Sequence, residues 1–86
     1  MSATRLLVLA FVRAYGRAHG YMVGQELMAW HADEWANTKT GSIYHALRQL
    51  TKEGLLEEHD LAGGKGSPAR TDYSITAKGE KEFQAL

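Results

Sequence analysis

The sequence of 86 residues contains no cysteine, a single proline and no long run of apolar residues. Without cysteine it has neither a disulfide scaffold nor a zinc site with thiolate ligands, which fits a cytoplasmic protein. The longest apolar run, from Leu6 to Val12, is far shorter than the about 20 residues that a membrane-spanning helix needs. Because basic residues follow it at once and no small-residue cleavage site comes next, we interpret this run as a buried helix rather than a signal peptide and expect no membrane attachment.

A surplus of either charge is also lacking, because ten Lys and Arg residues balance ten Asp and Glu residues. The charges are unevenly spread: residues 1–25, 37–52 and 61–71 contain basic residues and no acidic ones. A neutral chain with such segments can still present a basic face to an anionic partner. The length and the 44% of hydrophobic residues predict one small globular domain over residues 1–86.

The first half of the chain shows helical spacing of its apolar residues. This spacing predicts three helices, over about 4–17, 21–30 and 40–53. The first helix is apolar nearly all round, so it is either central in the domain or packed against a second subunit. We expect Thr40, Gly41 and Ser42 to cap the third helix and Gly54 to end it.

The second half predicts two short strands, 55–61 and 70–75, joined by the glycine-rich loop 62–69. A last helix is expected from Ala77 onward, with Thr76 as its N-cap. The order helix, helix, helix, strand, loop, strand, helix is that of a winged helix-turn-helix domain. We therefore predict an α+β fold, mainly α, with three helices, a two-stranded β wing and the start of a C-terminal helix.

The third helix carries the best-defined candidate site. Its face opposite Ile43, Leu47 and Leu50 carries cations and neutral polar groups but no carboxylate. Such a helix fits the major groove of B-DNA, where Arg forks onto guanine and Gln pairs with adenine, so we predict base readout by Arg48 first. The further candidates for base readout are Tyr44, His45 and Gln49, and those for phosphate contact are Lys39, Ser42, Lys52, Lys65 and Arg70. An ordinary solvated helix face is the alternative.

The loop between the two strands is long for a hairpin connection. It offers small residues with Lys65 inside it and Arg70 directly after it, and no local acid. Small residues suit insertion beside a narrow groove, so we predict groove or phosphate contacts from residues 62–70. A plain flexible linker is the alternative.

The sequence shows no arrangement typical of an enzyme. Its four histidines are dispersed, and the glycine-rich loop lacks both the spacing of a phosphate-binding P-loop and the helix that should follow it. We therefore expect no catalytic residue, no metal and no cofactor. Trp30 and Trp35 allow two interpretations: they pack in the core, or they line a pocket for a flat aromatic effector.

Four segments closely resemble the PadR family of transcription regulators. They are His19-Gly20-Tyr21, residues 39–50 with their Gly-Ser-Ile-Tyr core, residues 52–56 (Lys-Glu-Gly-Leu-Leu), and residues 73–79 (Tyr-Ser-Ile-Thr-Ala-Lys-Gly). The resemblance implies a repressor that binds double-stranded operator DNA as a homodimer, with the third helix in the major groove and the hairpin as the wing. It places on the DNA-facing helix Thr40, Ser42, Tyr44, His45 and Arg48, and in the wing Lys65, Gly66 and Ser67.

Many members of that family release DNA when they bind small aromatic or drug-like molecules, so the resemblance also implies an effector. Members usually carry a C-terminal helical region that dimerises, whereas ten residues follow Thr76 here, so we expect that contact to be short or absent. We predict a dimer through the first and last helices, with the interface residues Leu6, Leu9, Val12, Phe83 and Leu86. A winged-helix module that binds protein and not DNA is the alternative function, and the zero net charge favours it.

Overall fold

The computed structural model describes residues 2–30, 39–61 and 70–85, with the backbone alone for Leu61. Its elements are α1 (Ala3–Tyr15), β1 (Ala18–His19), α2 (Gly20–Ala29), α3 (Thr40–Lys52), β2 (Leu56–Leu61), β3 (Arg70–Ile75) and α4 (Ala77–Gln84). The predicted winged-helix order is confirmed, and the boundaries of the predicted elements differ by no more than two residues. Among the described residues, no helix has the length and apolar character needed to cross a membrane.

The sheet has one strand more than predicted. The strands lie in the order β1-β3-β2, and both neighbours of β3 are antiparallel to it. Strand β1 contributes two pairs, Ala18 with Tyr73 and His19 with Asp72, so the predicted two-stranded wing is a three-stranded sheet. A strand of two residues is too short to show an alternating pattern, and for this reason the sequence did not reveal it.

Capping groups set the helix ends, and one of them differs from the prediction. The predicted N-cap Thr76 is confirmed, since its hydroxyl accepts a hydrogen bond from the Gly79 amide at 2.9 Å. Gly16, with φ of 75°, ends α1 two residues earlier than predicted. The expected side-chain cap of α3 was wrong, because Lys39 occupies the N-cap position and makes no capping hydrogen bond. The amide groups in the first turn of α3 are therefore not capped by the Lys39 side chain.

The core lies between the helices and the inner face of the sheet. Its buried members are Val8, Leu9, Phe11, Val12, Ala18, Val23, Leu27, Ile43, Ala46, Leu47, Leu50, Leu55, Leu56 and Tyr73. Helix α1 packs on α2, α3, α4 and β3, which explains why it is apolar nearly all round. The first of the two alternatives for this helix is therefore correct: α1 is central in the domain.

The buried position of α1 corrects two of the predicted dimer contacts. Leu9 and Val12 are fully buried within the chain's own core, so neither is available to a partner in this fold. Leu6 is 38% exposed, and Phe83 is half-buried beneath the Arg13 guanidinium, whose carbon lies 4.7 Å from the ring centroid. Leu86 lies outside the described residues.

The tryptophan prediction is corrected in part. Trp30 is not a core residue: its side chain is 52% exposed, and its ring is tilted against that of Phe11 at a centroid distance of 6.0 Å. The ring of Tyr15, also about half exposed, stacks on that of Phe11 at a centroid distance of 4.5 Å. Trp35 lies outside the described residues.

Candidate nucleic-acid interface

Helix α3 buries one face and exposes the other, as its sequence pattern predicts. Ile43, Ala46, Leu47 and Leu50 are buried. On the opposite face, Tyr44 and Gln49 are half-buried and lie at the edges. The exposed residues of this face are Lys39, Thr40, Gly41, Ser42, His45, Arg48 and Lys52. The exposed face of α3, with its N-cap residue, therefore carries three permanent cations and no carboxylate of its own, on a helix that is anchored in the core.

The N-terminus of α3 is open. No acidic residue lies in its first turn and no side chain of the described residues caps it, and the first amide that bonds within the helix is that of Ile43, to the Lys39 carbonyl at 3.0 Å. The amide groups of a free first turn carry partial positive charge, which favours anions. The missing cap thus leaves this helix end suited to a phosphate.

Gly20 allows α2 to approach α3 closely. A Cβ atom at this position would lie 3.0 Å from Cε1 of Tyr44 and 3.4 Å from Cδ1 of Leu47. The Tyr44 ring is thereby held at the junction of the two helices, at the edge of the exposed face of α3. Tyr44 also lines a groove of about 160 Å³ with Tyr21, Gly24, Gln25, Met28 and Thr40.

Tyr21 is a surface residue that the sequence reasoning did not include. It lies in the first turn of α2, is 65% exposed and borders the same groove as Tyr44. Its position as the residue after Gly20 in the His19-Gly20-Tyr21 segment was available in the sequence, but its exposure was not.

A second groove runs along the other side of α3, toward the start of α1. It has a volume of about 390 Å³ and is lined by Ser2, Thr4, Arg5, Gly41, Ser42, His45, Ala46 and Gln49. Arg5 donates two hydrogen bonds to the Glu53 carboxylate, at 2.8 and 2.7 Å. This pairing raises the pKa of Arg5 and lowers the pKa of Glu53. Arg5 therefore brings no unbalanced positive charge to this groove.

The charges of two β2 carboxylates and of Arg48 all act on Tyr73 of β3, which the sequence alone did not show. Glu58 lies opposite Tyr73 in the register, on the same face of the sheet. Burial raises the pKa of the Tyr73 hydroxyl, the negative charges of Glu58 and Asp60 raise it further, and the positive charge of Arg48 opposes them. The Tyr73 hydroxyl therefore lies within the fields of Arg48 and of both acids.

Charged side chains lie at the start of β3, which we call the root of the wing. Arg70, the first residue of β3, is exposed, and its Nε lies 3.3 Å from Oδ1 of Asp72. Arg17 reaches the same carboxylate from the turn between α1 and β1, with its Nε donating to Oδ2 at 3.1 Å. The predicted wing residues Lys65, Gly66 and Ser67 lie outside the described residues. Within the part of the chain that the structure describes, no three His, Asp or Glu side chains are grouped as a metal site would require.

The comparisons with known proteins agree with this geometry. Residues 8–85 match the model of the transcriptional regulator PadR-like family. The chain is similar in structure to PadR of Bacillus subtilis, solved in complex with operator DNA, with a TM-score of 0.80 and 23% identity over 96% of this chain. It is also similar to a PadR family transcriptional regulator from Eggerthella lenta DSM 2243 (TM-score 0.72, 27% identity, 94% of this chain) and to the protein smu.1704 of Streptococcus mutans UA159 (TM-score 0.76, 26% identity, 96% of this chain).

The aligned part covers 45% of the Bacillus subtilis chain, 65% of the Eggerthella lenta chain and 71% of the Streptococcus mutans chain. A comparison with curated protein sequences found no match. The family match spans nearly the whole chain and confirms the resemblance of the four sequence segments. The chain belongs to the PadR-like family of transcriptional regulators, which is not a family of enzymes.

Proposed function

We propose that this chain binds double-stranded operator DNA in a sequence-specific manner and acts as a repressor. In this proposal α3 occupies the major groove and the wing, residues 62–70, contacts the adjacent groove or its phosphates. The observation that carries the proposal is the exposed, carboxylate-free face of α3 on a helix whose opposite face is fully buried. The shared fold with a PadR protein solved on operator DNA supports it.

Arg48 is the proposed principal residue for base readout. It is exposed at the centre of the face, and its fork of N–H donors matches the O6 and N7 acceptors of guanine. His45 lies one turn before it, and the half-buried Tyr44 and Gln49 lie at the edges of the face. Because packing restrains Tyr44, we expect it to select by shape and His45 and Gln49 to select by hydrogen bonds.

The proposed phosphate contacts surround this reading face. The open first turn of α3 offers backbone amides next to Thr40 and Ser42, where a phosphate would be favoured by the helix dipole. The cationic side chains proposed for the same role are Lys39, Lys52, Lys65 and Arg70, with Gly66 and Ser67 admitting the loop beside a groove. Such contacts position the domain on the duplex without reading its sequence.

We further propose that the chain forms a homodimer in the cytoplasm. The two identical domains of such a dimer would read two half-sites of one operator. Of the predicted interface residues, the described ones still available to a partner are Leu6 and Phe83. A small aromatic effector that weakens DNA binding completes the proposal, as the family resemblance implies. The exposed rings of Tyr15 and Trp30 show that α1 and the end of α2 carry aromatic surface.

Selection of bound duplexes from a random pool tests the proposal and yields the operator. The affinities for this operator and for a scrambled duplex should then be measured over a range of salt concentrations. Arg48→Ala should weaken operator binding by about 1–3 kcal/mol and relax the preference at one base pair, while binding to the scrambled duplex changes little. Lys65→Ala should weaken both duplexes alike and flatten the salt dependence.

Arg13→Ala is the matched control, because Arg13 is exposed but paired with Glu80 on α4. An equal loss of operator and scrambled binding in Arg48→Ala would contradict its role in base readout. No binding of any duplex at low salt by a dimer of confirmed mass would instead favour the protein-binding alternative, which the zero net charge of the chain also fits.

A further inference from the structure

We infer that Arg17, Asp72 and Arg70 form a second phosphate-binding site at the root of the wing, in which the buried Asp72 carboxylate positions both guanidinium groups. We call these three residues the wing-root cluster. The inference rests on the proposed binding of DNA, and it adds Arg17 and Asp72, which lie outside α3 and outside the wing loop.

The cluster is built around a carboxylate in the centre of the sheet. Asp72 lies on the middle strand β3, between His19 of β1 and His59 of β2, and is 5% exposed. Its Oδ2 accepts a hydrogen bond from Arg17 Nε at 3.1 Å. Its Oδ1 lies 3.3 Å from Arg70 Nε and accepts no hydrogen bond from the described residues. Burial of a carboxylate is costly unless it is paired, so the Asp72 carboxylate favours cations at both of its oxygens.

The charges of the cluster do not cancel. One carboxylate faces two guanidinium groups, which leaves one positive charge in excess, although a single arginine would be enough to neutralise Asp72. The side chains of Arg17 and Arg70 are 49% and 57% exposed. Each contacts Asp72 through Nε, and no hydrogen bond joins either pair of terminal Nη groups to residues 2–30, 39–61 and 70–85. The donors that remain are those with which arginine binds phosphate.

The cluster lies where the proposed mode of binding requires a phosphate contact. Asp72 follows the wing loop after two residues of β3. In the sheet it pairs with His19, and the next residue, Gly20, packs against the Tyr44 ring of α3. Between a helix in the major groove and a wing in the adjacent groove runs the sugar–phosphate backbone that separates the two grooves. In the proposed mode of binding, the root of the wing with its positive cluster would meet this backbone.

Arg17→Gln tests the site with little risk to the fold, because Arg17 is half exposed. Loss of one phosphate contact should lower the slope of log affinity against log salt by about 0.9 and weaken binding by roughly eightfold at about 0.1 M salt. The loss should be the same for operator and scrambled duplex, since phosphates carry no sequence. Arg13→Gln, which removes an equal charge from an arginine paired with Glu80, should leave the slope unchanged. An unchanged slope in Arg17→Gln would overturn the site.

Asp72→Asn tests the positioning role, because two explanations predict opposite signs. If Asp72 only reduced the positive charge, its removal would strengthen DNA binding, since the net charge rises by one. If Asp72 positions the two arginines, binding should weaken despite the added charge, with the salt slope reduced. Unchanged or increased affinity would overturn the positioning role. A thermal melt shows whether this variant is folded; where it is not, Arg17→Gln alone decides whether the site exists.

These outcomes can be separated from failure of the proposed function. A wild-type chain with no salt-dependent binding to any duplex would refute the proposed function itself. Wild-type binding that is steeply salt-dependent and sensitive to Arg48→Ala, together with wild-type behaviour of Arg17→Gln, would refute the wing-root cluster alone.

Discussion

Gly79 makes the closest approach between α4 and the segment that leads into the wing, and Gly79→Ala should therefore destabilise the domain. A Cβ atom on Gly79 would overlap the carbonyl oxygen of Leu55 and lie 2.8 Å from Cγ1 of Ile75. The Leu55 backbone has no freedom to move aside, because its amide donates to the Leu50 carbonyl at 2.9 Å and its carbonyl accepts from the Thr76 amide at 3.0 Å. The methyl group must therefore displace α4 or the start of β2.

The size of the effect follows from two opposing terms. Alanine gains about 1 kcal/mol over glycine inside a helix. Overpacking against a fixed neighbour costs about 1–3 kcal/mol, and a backbone overlap belongs at the upper end of that range. The net expectation is a loss of about 2 kcal/mol, which in a domain of this length lowers the melting temperature by about 8–16 °C.

Gly24→Ala is the matched control, because Gly24 is also a helical glycine but a Cβ atom there would meet nothing within 4 Å. This variant should gain up to about 1 kcal/mol from helix propensity alone. The stability changes of both variants can be measured by thermal and urea unfolding, with far-ultraviolet circular dichroism as the signal. A Gly79→Ala variant as stable as the wild type, or more so, would refute the close packing of α4 on Leu55.

Three further predictions concern the elements that hold the candidate interface. Thr76→Ala should cost about 1–2 kcal/mol in urea unfolding, because its hydroxyl both caps α4 and donates to the Gly54 carbonyl at 2.6 Å, and Thr76→Ser should recover most of the loss. Leu47→Ala should cost about 2–5 kcal/mol by the same assay, since Leu47 is fully buried beneath the reading face of α3, and a loss below about 1 kcal/mol would contradict its core position. The pKa values of the Glu53 and Glu80 carboxyls lie below the ordinary value of 4.5, chiefly because Arg5 donates hydrogen bonds to Glu53 and Gln84 donates one to Glu80. These hydrogen bonds therefore stabilise the fold above that pH, and the stabilisation is lost as the pH falls below it. Urea midpoints at neutral pH and at about pH 3 should therefore differ less in Glu53→Gln than in the wild type.

The sequence predicts those parts of the fold that are encoded in short continuous segments of the chain. The amphipathic pattern of α3 is a property of 13 consecutive residues, and it identified both the buried stripe and the exposed face correctly. The N-cap Thr76 and the glycine that closes the turn after α3 are equally local signals. The four segments that resemble the PadR family are continuous in sequence, so they identified the family before any tertiary contact was known.

Other features depend on contacts between distant residues, and there the sequence misled or was silent. Leu9 and Val12 looked like surplus apolar surface for a dimer, but α1 is buried by three other helices and a strand of the same chain. Trp30 looked like a core residue by size, yet half of its side chain is exposed beside Phe11. Helical spacing shows which residues share a face, but only packing decides what covers that face.

The sequence by itself determined the winged-helix order, the carboxylate-free face of α3 and the family, because each is encoded in short continuous segments. Only the tertiary structure decided the rest. It added the strand β1, paired Glu58 of β2 with Tyr73 of β3, and brought Arg17 to Asp72 across 55 positions of the chain. The physical reason is that strand pairing and ion pairing join distant groups through space, and the pattern of one segment does not identify its partner.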